Sequence, residues 1–268
     1  MAERDSAQRR RLIMESVQSV GPADVEQLAA RFSVTASTIR RDLARLTASG
    51  RLVRTYGGAM AKPGPEFSLS QRLGQADQAK RAMAAWASQR IEDGQTVFLD
   101  AGSSVAALAQ AWPERRDLTV VTASLGVIGQ LADRPGLRLE CLGGSLRGLS
   151  QAFIGPATEA ALESWSFDAA FLGADGVSPR LGLCEADQTQ ARLKAMVVER
   201  SQRLYVLAHA AKLGAAPLHA WTRLPRPWTL VTDASEEEAA EAGFDGGLVT
   251  VVSVAEPAAP GPEPAPFA

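Results

Sequence analysis

The sequence predicts an α/β protein in which a small N-terminal module of helices and a hairpin precedes a larger α/β domain with a mostly parallel sheet. Three observations predict it. Residues 25–58 carry two short amphipathic helical patterns, then an alternating strand and a Gly-Gly pair. Further on, apolar runs of strand length alternate with helical segments. Charge also divides the chain: residues 1–62 hold 11 Lys and Arg against 6 Asp and Glu, a net +5, whereas residues 63–268 hold 17 against 24, a net −7. A basic module on an acidic body is the electrostatic footprint of a nucleic-acid binder whose remainder has another task.

In chain order, Leu12, Ile13, Val17 and Val20 supply the apolar face of a first helix behind the run Arg9-Arg10-Arg11. Asp24 is a good N-cap for a second, which places Val25, Leu28, Ala29 and Phe32 on one buried face. A turn at Ser33-Val34 follows, and Thr35 can cap a third helix with the apolar stripe Ile39, Leu43 and Leu46. Opposite that stripe lie Ser37, Arg41, Ala44 and Arg45, with Thr38 and Arg40 on the flanks. Gly50 stops the helix, and Arg51 to Tyr56 alternates as a strand ending in Gly57-Gly58. This is a winged helix-turn-helix spanning residues 1–60, and it fits double-stranded DNA. A lone basic helix is more often a solvated face; the opposed charges of the two halves argue otherwise. Arg41, with Ser37 and Arg45, is expected at base edges. Thr38, Arg40, Arg51 and Arg54 are expected at phosphates, and Thr35 belongs to the same DNA-facing set.

Residues 61–69, around AKPGPE, read as a linker, and residues 70–254 as the second domain. A helical stretch from Ser70 to Ile91 contains Lys80 and the apolar Met83, Trp86, Ala87 and Ile91, and Asp93-Gly94 ends it. The strand-length runs are TVFLD, LTVVT, LRLECL, DAAFLG, RLYVLA, TLVTD and LVTVVSV. Small, hydroxylic and glycine residues follow them: Asp100 to Ser104, Thr122-Ala123-Ser124, Gly143-Gly144-Ser145, Gly173 to Gly176, and His209 to Lys212. Open α/β sheets bind ligands at such carboxyl ends. Ser103 and Ser104 stand where a helix begins, so their hydroxyls and the free backbone N–H groups can cradle a phosphate. Gly143 and Gly144 admit close backbone approach, Arg147, Lys194 and Lys212 can complete anion binding, and Asp100 and Asp175 can accept hydrogen bonds from sugar hydroxyls. Any one of these loops taken alone is as well explained by turn chemistry. Their convergence on one sheet edge favours a site for a phosphorylated sugar or polyol.

The run SVTASTIRRDLARLTASGRLVRTYGGA resembles the N-terminal signature of the DeoR family of bacterial transcriptional regulators, and the resemblance continues to about residue 214. It implies a C-terminal domain of the ribose-5-phosphate isomerase type that senses a phosphosugar. The positions matching the family pattern are Asp100, Gly102, Ser103 and Ser104, then Ser124, Gly143, Gly144, Arg147, Phe171 to Gly176, Lys194 and Lys212. Ala123, Gln190, His209 and Ala211 depart from that pattern, which points to an unusual ligand.

The expected function is a transcriptional regulator of the repressor type controlling carbohydrate-metabolism genes. The alternative is a sugar-phosphate isomerase or deaminase carrying an appended DNA-binding module. Against the enzyme, related isomerases have an extra acidic residue where this chain has Gly176, although Asp175 remains as a conceivable base. The chain has no run of 18 apolar residues and a charged N-terminus, which leads us to expect a cytoplasmic protein without membrane contact. Cys141 and Cys184 read as packing residues rather than a disulfide, and with only His209 and His219 besides, no metal site and no cofactor are expected. A homo-oligomer, dimer or tetramer, is expected because helix-turn-helix proteins read paired half-sites. The Pro- and Ala-rich residues 255–268 are expected to be disordered.

Overall fold

The computed structural model describes residues 6, 8–14, 23–48, 52–55, 58–61, 66–114 and 116–254. Val17, Val20, Arg51, most of the linker and the tail at 255–268 lie outside the described residues.

Among the described residues, the N-terminal module packs three helices against a small sheet. Helix α1 (residues 8–14) turns Ile13 inward, while Leu12, expected on the same apolar face, is exposed. In α2 (Val25–Arg31) the cap is Asp24, whose Oδ1 accepts from the backbone N–H of Glu26 at 2.8 Å and of Gln27 at 3.3 Å. Ser33 takes a left-handed φ of 51° at the turn, and Thr35 Oγ1 accepts from the Thr38 N–H at 3.3 Å to start α3 (Ala36–Ala48). Ile39, Leu43 and Leu46 join Ile13, Val25, Leu28, Ala29 and Leu52 in one core. The hairpin joins β2 (Leu52–Thr55) to β3 (Gly58–Ala61), so Ala61, assigned by sequence to the linker, closes the wing's second strand. A third strand, β1 (Ala23–Asp24), pairs with β3 and has no sequence signature at two residues long.

The helical stretch expected from Ser70 to Ile91 is two helices, α4 (Leu69–Leu73) and α5 (Asp77–Ser88). Between them Ala76 adopts φ 48°, and the Lys80 ammonium donates back to the carbonyls of Arg72 and Gln75. The Lys80 cation on these terminal carbonyls reinforces the end of α4, whose C-cap is Gly74.

All seven runs read as strands form one sheet, in the order β15-β14-β12-β9-β4-β5-β6, with every pairing parallel. They are β4 (Thr96–Leu99), β5 (Leu118–Thr122), β6 (Leu137–Cys141), β9 (Phe167–Leu172), β12 (Ser201–Leu207), β14 (Trp228–Thr232) and β15 (Val249–Ser253). Alternate residues face opposite layers. Val97, Leu99, Val120, Phe171 and Leu207 pack with α5, α6 (Ser103–Gln110) and α7 (Leu125–Leu131). Phe98, Val121, Ala170, Leu172 and Val206 pack with α8 (Pro156–Leu162), α9 (Gln188–Arg200) and α10 (Glu236–Glu241). Two antiparallel additions carry no parallel-sheet signature: the hairpin of β7 (Ser145–Arg147) and β8 (Ala152–Ile154), and the sheet of β10 (Gly176–Ser178), β11 (Gly182–Glu185) and β13 (Ala220–Thr222). From β4 the chain steps outward to β5 and β6, then crosses back to β9 on the other flank. The carboxyl ends of β4 and β9 therefore form a topological switch point, where a crevice must open.

Candidate functional site

On α3 the surface facing away from the core carries Ser37, Arg41, Ala44 and Arg45, all exposed, as the helical spacing requires. Thr35 Oγ1 lies 2.8 Å from Ser37 Oγ and 2.9 Å from Thr38 Oγ1, so the hydroxyls at the helix start support one another. Arg40 stands 3.5 Å from Glu26 with both side chains more than half exposed, a weak pair that leaves its guanidinium available. Arg54 is placed on β2 by its backbone. Two basic residues with an acidic partner in the core are Arg9 and Arg10, which pair with the buried Asp42 at 2.7 and 3.3 Å and tie α1 to the back of α3.

At the switch point a cavity of about 250 Å³ is lined by Glu66, Phe67, Arg72, Gln75, Lys80, Ser103, Asp175, His209, Lys212, Pro217 and Leu218. It adjoins a narrow cleft reaching down to Gly102, Ser103, Ser104, Gly173, Glu185, Gln190 and Lys194, and Arg72, Ser103 and Lys212 line both. The loops after β4, β9 and β12 thus meet in one place. So do Gly102, Ser103, Ser104, Asp175, Lys194 and Lys212 from the sequence-derived set.

Beneath the cleft lies a buried ionic cluster. Lys194 Nζ is 2.9 Å from Asp100 Oδ2, donates to Gly173 O at 2.6 Å and also pairs with Glu185; all three side chains are under 10% exposed. Asp100 Oδ2 also accepts from the Gly173 N–H at 3.0 Å, locking the β4 and β9 loops together. Burial disfavours the Lys194 charge, but the pull of Asp100 and Glu185 outweighs it and raises the pKa. Two carboxylates share one ammonium, so burial, resisted by Lys194, lifts Glu185 to about 7. The sequence reading offered Lys194 to an anion and Asp100 to hydroxyls; the structure turns both onto each other, below the cavity floor.

Lys212 donates to Ala174 O at 2.5 Å and has no carboxylate at ion-pair distance among the described residues. Desolvation brings its pKa down to about 8, with Asp175 pulling the other way and Arg72 reinforcing the drop. His209 is brought to about 4 by burial and then by Lys212, so it is neutral at pH 7. Lys80 is 3% exposed and also lowered by burial. Asp175 is held by Arg72 at 2.7 Å.

The remaining sequence-derived residues do other work. Ser124 caps α7, accepting from the Val127 N–H at 3.3 Å. Gly143 O accepts from Thr158 Oγ1 at 2.5 Å. Gly144 has φ 130°, and a Cβ there would lie 2.1 Å from that hydroxyl. A Cβ on Gly176 would lie 2.2 Å from Ala215 O, so this glycine admits the neighbouring loop rather than a ligand. Arg147 forks onto Glu66 at 2.6 and 2.5 Å, a bidentate pair that fastens the end of the linker to the β7-β8 hairpin. The sequence reading missed the first wall of the cavity, made by Glu66, Phe67, Arg72, Gln75 and Lys80. Only the Lys80 position, a buried-face lysine in an apolar helical pattern, offered a signal.

Comparison with known proteins agrees with this two-part construction. Residues 9–62 match the DeoR-like helix-turn-helix domain, and residues 75–234 match the DeoR C terminal sensor domain. The putative aga operon transcriptional repressor of Escherichia coli O157:H7 is 31% identical over 80% of this chain and 81% of its own. The HTH-type transcriptional regulator GlpR of Haloferax volcanii is 30% identical over 92% of this chain and 97% of its own. Among solved structures, a D-ribose-5-phosphate isomerase aligns at 20% identity over 51% of this chain and 53% of its own, with a TM-score of 0.39. The chain belongs to the DeoR family of transcriptional regulators, its winged helix-turn-helix joined to the sensor domain that carries the cavity.

Proposed function

We propose that this regulator is a repressor of carbohydrate-metabolism genes that reads its operator through the exposed face of α3, and that a phosphorylated sugar or polyol in the switch-point cavity sets its DNA affinity. The observation that carries the reading is the cavity itself. It brings the N-terminus of α6, Ser103 and the cations Lys212, Lys80 and Arg72 together at the sheet edge. Unpaired backbone N–H groups, a helix dipole and ammonium groups suit a phosphate monoester. The names of relatives support it: one is a glycerol-3-phosphate regulon repressor, of Escherichia coli K12, 31% identical over 77% of this chain.

The module boundaries fit this division of labour, with the wing ending at Ala61 and the sensor body beginning at Leu69. Two copies would present two α3 helices to paired half-sites, so the active form is a homo-oligomer. Acting on an operator places it in the cytoplasm; among the described residues no helix is long and apolar enough to cross a membrane. Turnover is disfavoured because the carboxylates at the site already hold cations: Asp100 and Glu185 hold Lys194, and Asp175 holds Arg72. A general base must be free to reach the substrate proton.

The test is a thermal-shift screen against phosphorylated sugars and polyols, followed by operator binding with each hit. A ligand at a hundred times its dissociation constant adds about 2.7 kcal/mol to the folded state. A screen with no stabilising compound, or hits that leave operator affinity unchanged, would refute the proposal.

A further inference from the structure

Four buried side-chain polar atoms lack a hydrogen-bond partner among the described residues, and two of them, Arg72 Nε and Ser104 Oγ, line the same cleft. Buried donors are left unmade at a cost, and a pair of them converging on one opening marks where an acceptor is meant to sit. Ser104 is 3% exposed and stands in the first turn of α6, whose N-cap Gly102 provides no side-chain cap. The first turn of α6, whose leading amides have no partner within the helix, borders the same cleft through Gly102, Ser103 and Ser104. Arg72 comes from the opposite wall, on α4, and its NH1 holds Asp175 at 2.7 Å while Nε stays unused. The cleft proper, about 10 Å³, has room for one water, which can relay the Ser104 hydroxyl to an anion seated at its mouth, where Arg72, Ser103 and Lys212 border the larger cavity.

We infer that Arg72 is the receiving group for the ligand's phosphate, closing on it from the connector side while Ser104 and the α6 amides hold it from the sheet side. This rests on the phosphorylated-ligand reading above and adds a residue and a route to it. Arg72 lies on the first helix after the wing and the linker, in a segment fastened to the body by the Glu66–Arg147 fork and by the Leu69 N–H donating to Leu149 O at 2.7 Å. A phosphate that engages Arg72 competes with Asp175 for the guanidinium. The connector to the DNA-binding module is thereby a wall of the site, and ligand occupancy bears on it directly.

Inorganic phosphate and glycerol 3-phosphate serve as probes, read by thermal shift and calorimetry on the full chain. Arg72→Gln and Arg72→Lys are expected to weaken both probes more than tenfold, the lysine because a point charge cannot reproduce the planar fork. Asp175→Asn frees Arg72 and removes a negative charge, so it is expected to tighten inorganic phosphate several-fold. Opposite signs at the two ends of one ion pair separate a receiving group from a structural brace, whose loss from either end would weaken binding alike. Circular dichroism melts check that each variant folds; an unfolded Arg72→Gln leaves Arg72→Lys and Asp175→Asn to decide. If Ser104→Ala loses phosphate while the Arg72 variants bind as wild type, the site stands and this inference falls. Asp175→Asn binding more weakly than wild type would likewise overturn it. A wild-type protein that takes up no phosphorylated compound would overturn the reading of the cavity and this inference with it.

Discussion

Replacing Lys212 by Met should stabilise the ligand-free protein in a way that depends on pH. Desolvation lowers the Lys212 pKa from the ordinary 10.5 to about 8, a difference of roughly 3 kcal/mol at about 1.4 kcal/mol per pH unit. The residue is only partly buried overall, so solvent screening reduces this to about 1 to 2 kcal/mol. The sign follows from proton binding. Between pH 8 and 10.5 the unfolded chain still protonates this lysine while the folded one does not, so wild-type stability rises through that window. Below pH 8 the full penalty is present. The methionine variant carries none of it, but loses the hydrogen bond to Ala174 O, worth about 1 kcal/mol. The stability difference, variant minus wild type, should therefore be flat up to about pH 8 and fall by about 1 to 2 kcal/mol by pH 10.5. Urea denaturation of both proteins at several pH values measures it, and other titrating groups cancel in the difference. A difference that stays constant from pH 7 to 10.5 would refute the assignment of a desolvated ammonium in the cavity.

Four further outcomes are expected. Ser104→Ala removes a buried hydroxyl without a partner, so chemical denaturation should show no loss or a gain of about 1 kcal/mol even as phosphate binding weakens. Asp42→Ala strands Arg9 and Arg10 against the core of the winged module and should cost about 3 kcal/mol, the low end for a buried pair because both arginines are partly exposed; its melting transition reads this. Arg41→Ala should lose about 1 to 3 kcal/mol of operator binding and relax preference at one base pair, whereas Arg40→Ala should weaken all sequences alike and flatten the salt slope by about 1, both visible in titrations across salt. Gly176→Ala forces a methyl to within 2.2 Å of Ala215 O and should destabilise by about 1 to 3 kcal/mol in the same denaturation assay, with the sensor rather than the DNA-binding module affected.

The sheet was legible because its inner strands, buried on both faces, are near-continuous apolar runs, while the edge strands β6 and β15 are only partly buried and keep polar residues between apolar ones. The recognition helix was legible for a related reason: Ile39, Leu43 and Leu46 can share one face only at helical period, which leaves Ser37, Arg41 and Arg45 outside. Part of what escaped depends on contacts distant in sequence: β1 exists only because β3 passes beside Ala23 and Asp24. The break at Ala76 is local, with Gly74 as the C-cap of α4 and the Lys80 ammonium on the Arg72 and Gln75 carbonyls. Arg72 carried no mark at all, since its role comes from α4 lying across the crevice from Ser104. The same limit explains Asp100 and Lys194. Their positions at strand ends were plain, but a buried Asp–Lys–Glu cluster binds itself before it binds a ligand.

That cluster separates two kinds of charge at the crevice, and the separation makes the site responsive. Lys194 is neutralised below the floor, where it fastens the β4 and β9 loops and stays charged at any pH the protein meets. Lys212, the Arg72 Nε and the Ser104 hydroxyl are left with too few acceptors above it. Buried groups in that condition lower the stability of the empty protein, and an anion that satisfies them returns the difference as binding free energy. Because one of them stands on the connector helix, the empty and filled states differ in the hold on the segment leading to the DNA-binding module. A ligand shifts a conformational equilibrium only through such a difference in affinity between states, and couplings of about 1 to 3 kcal/mol suffice to switch an operator.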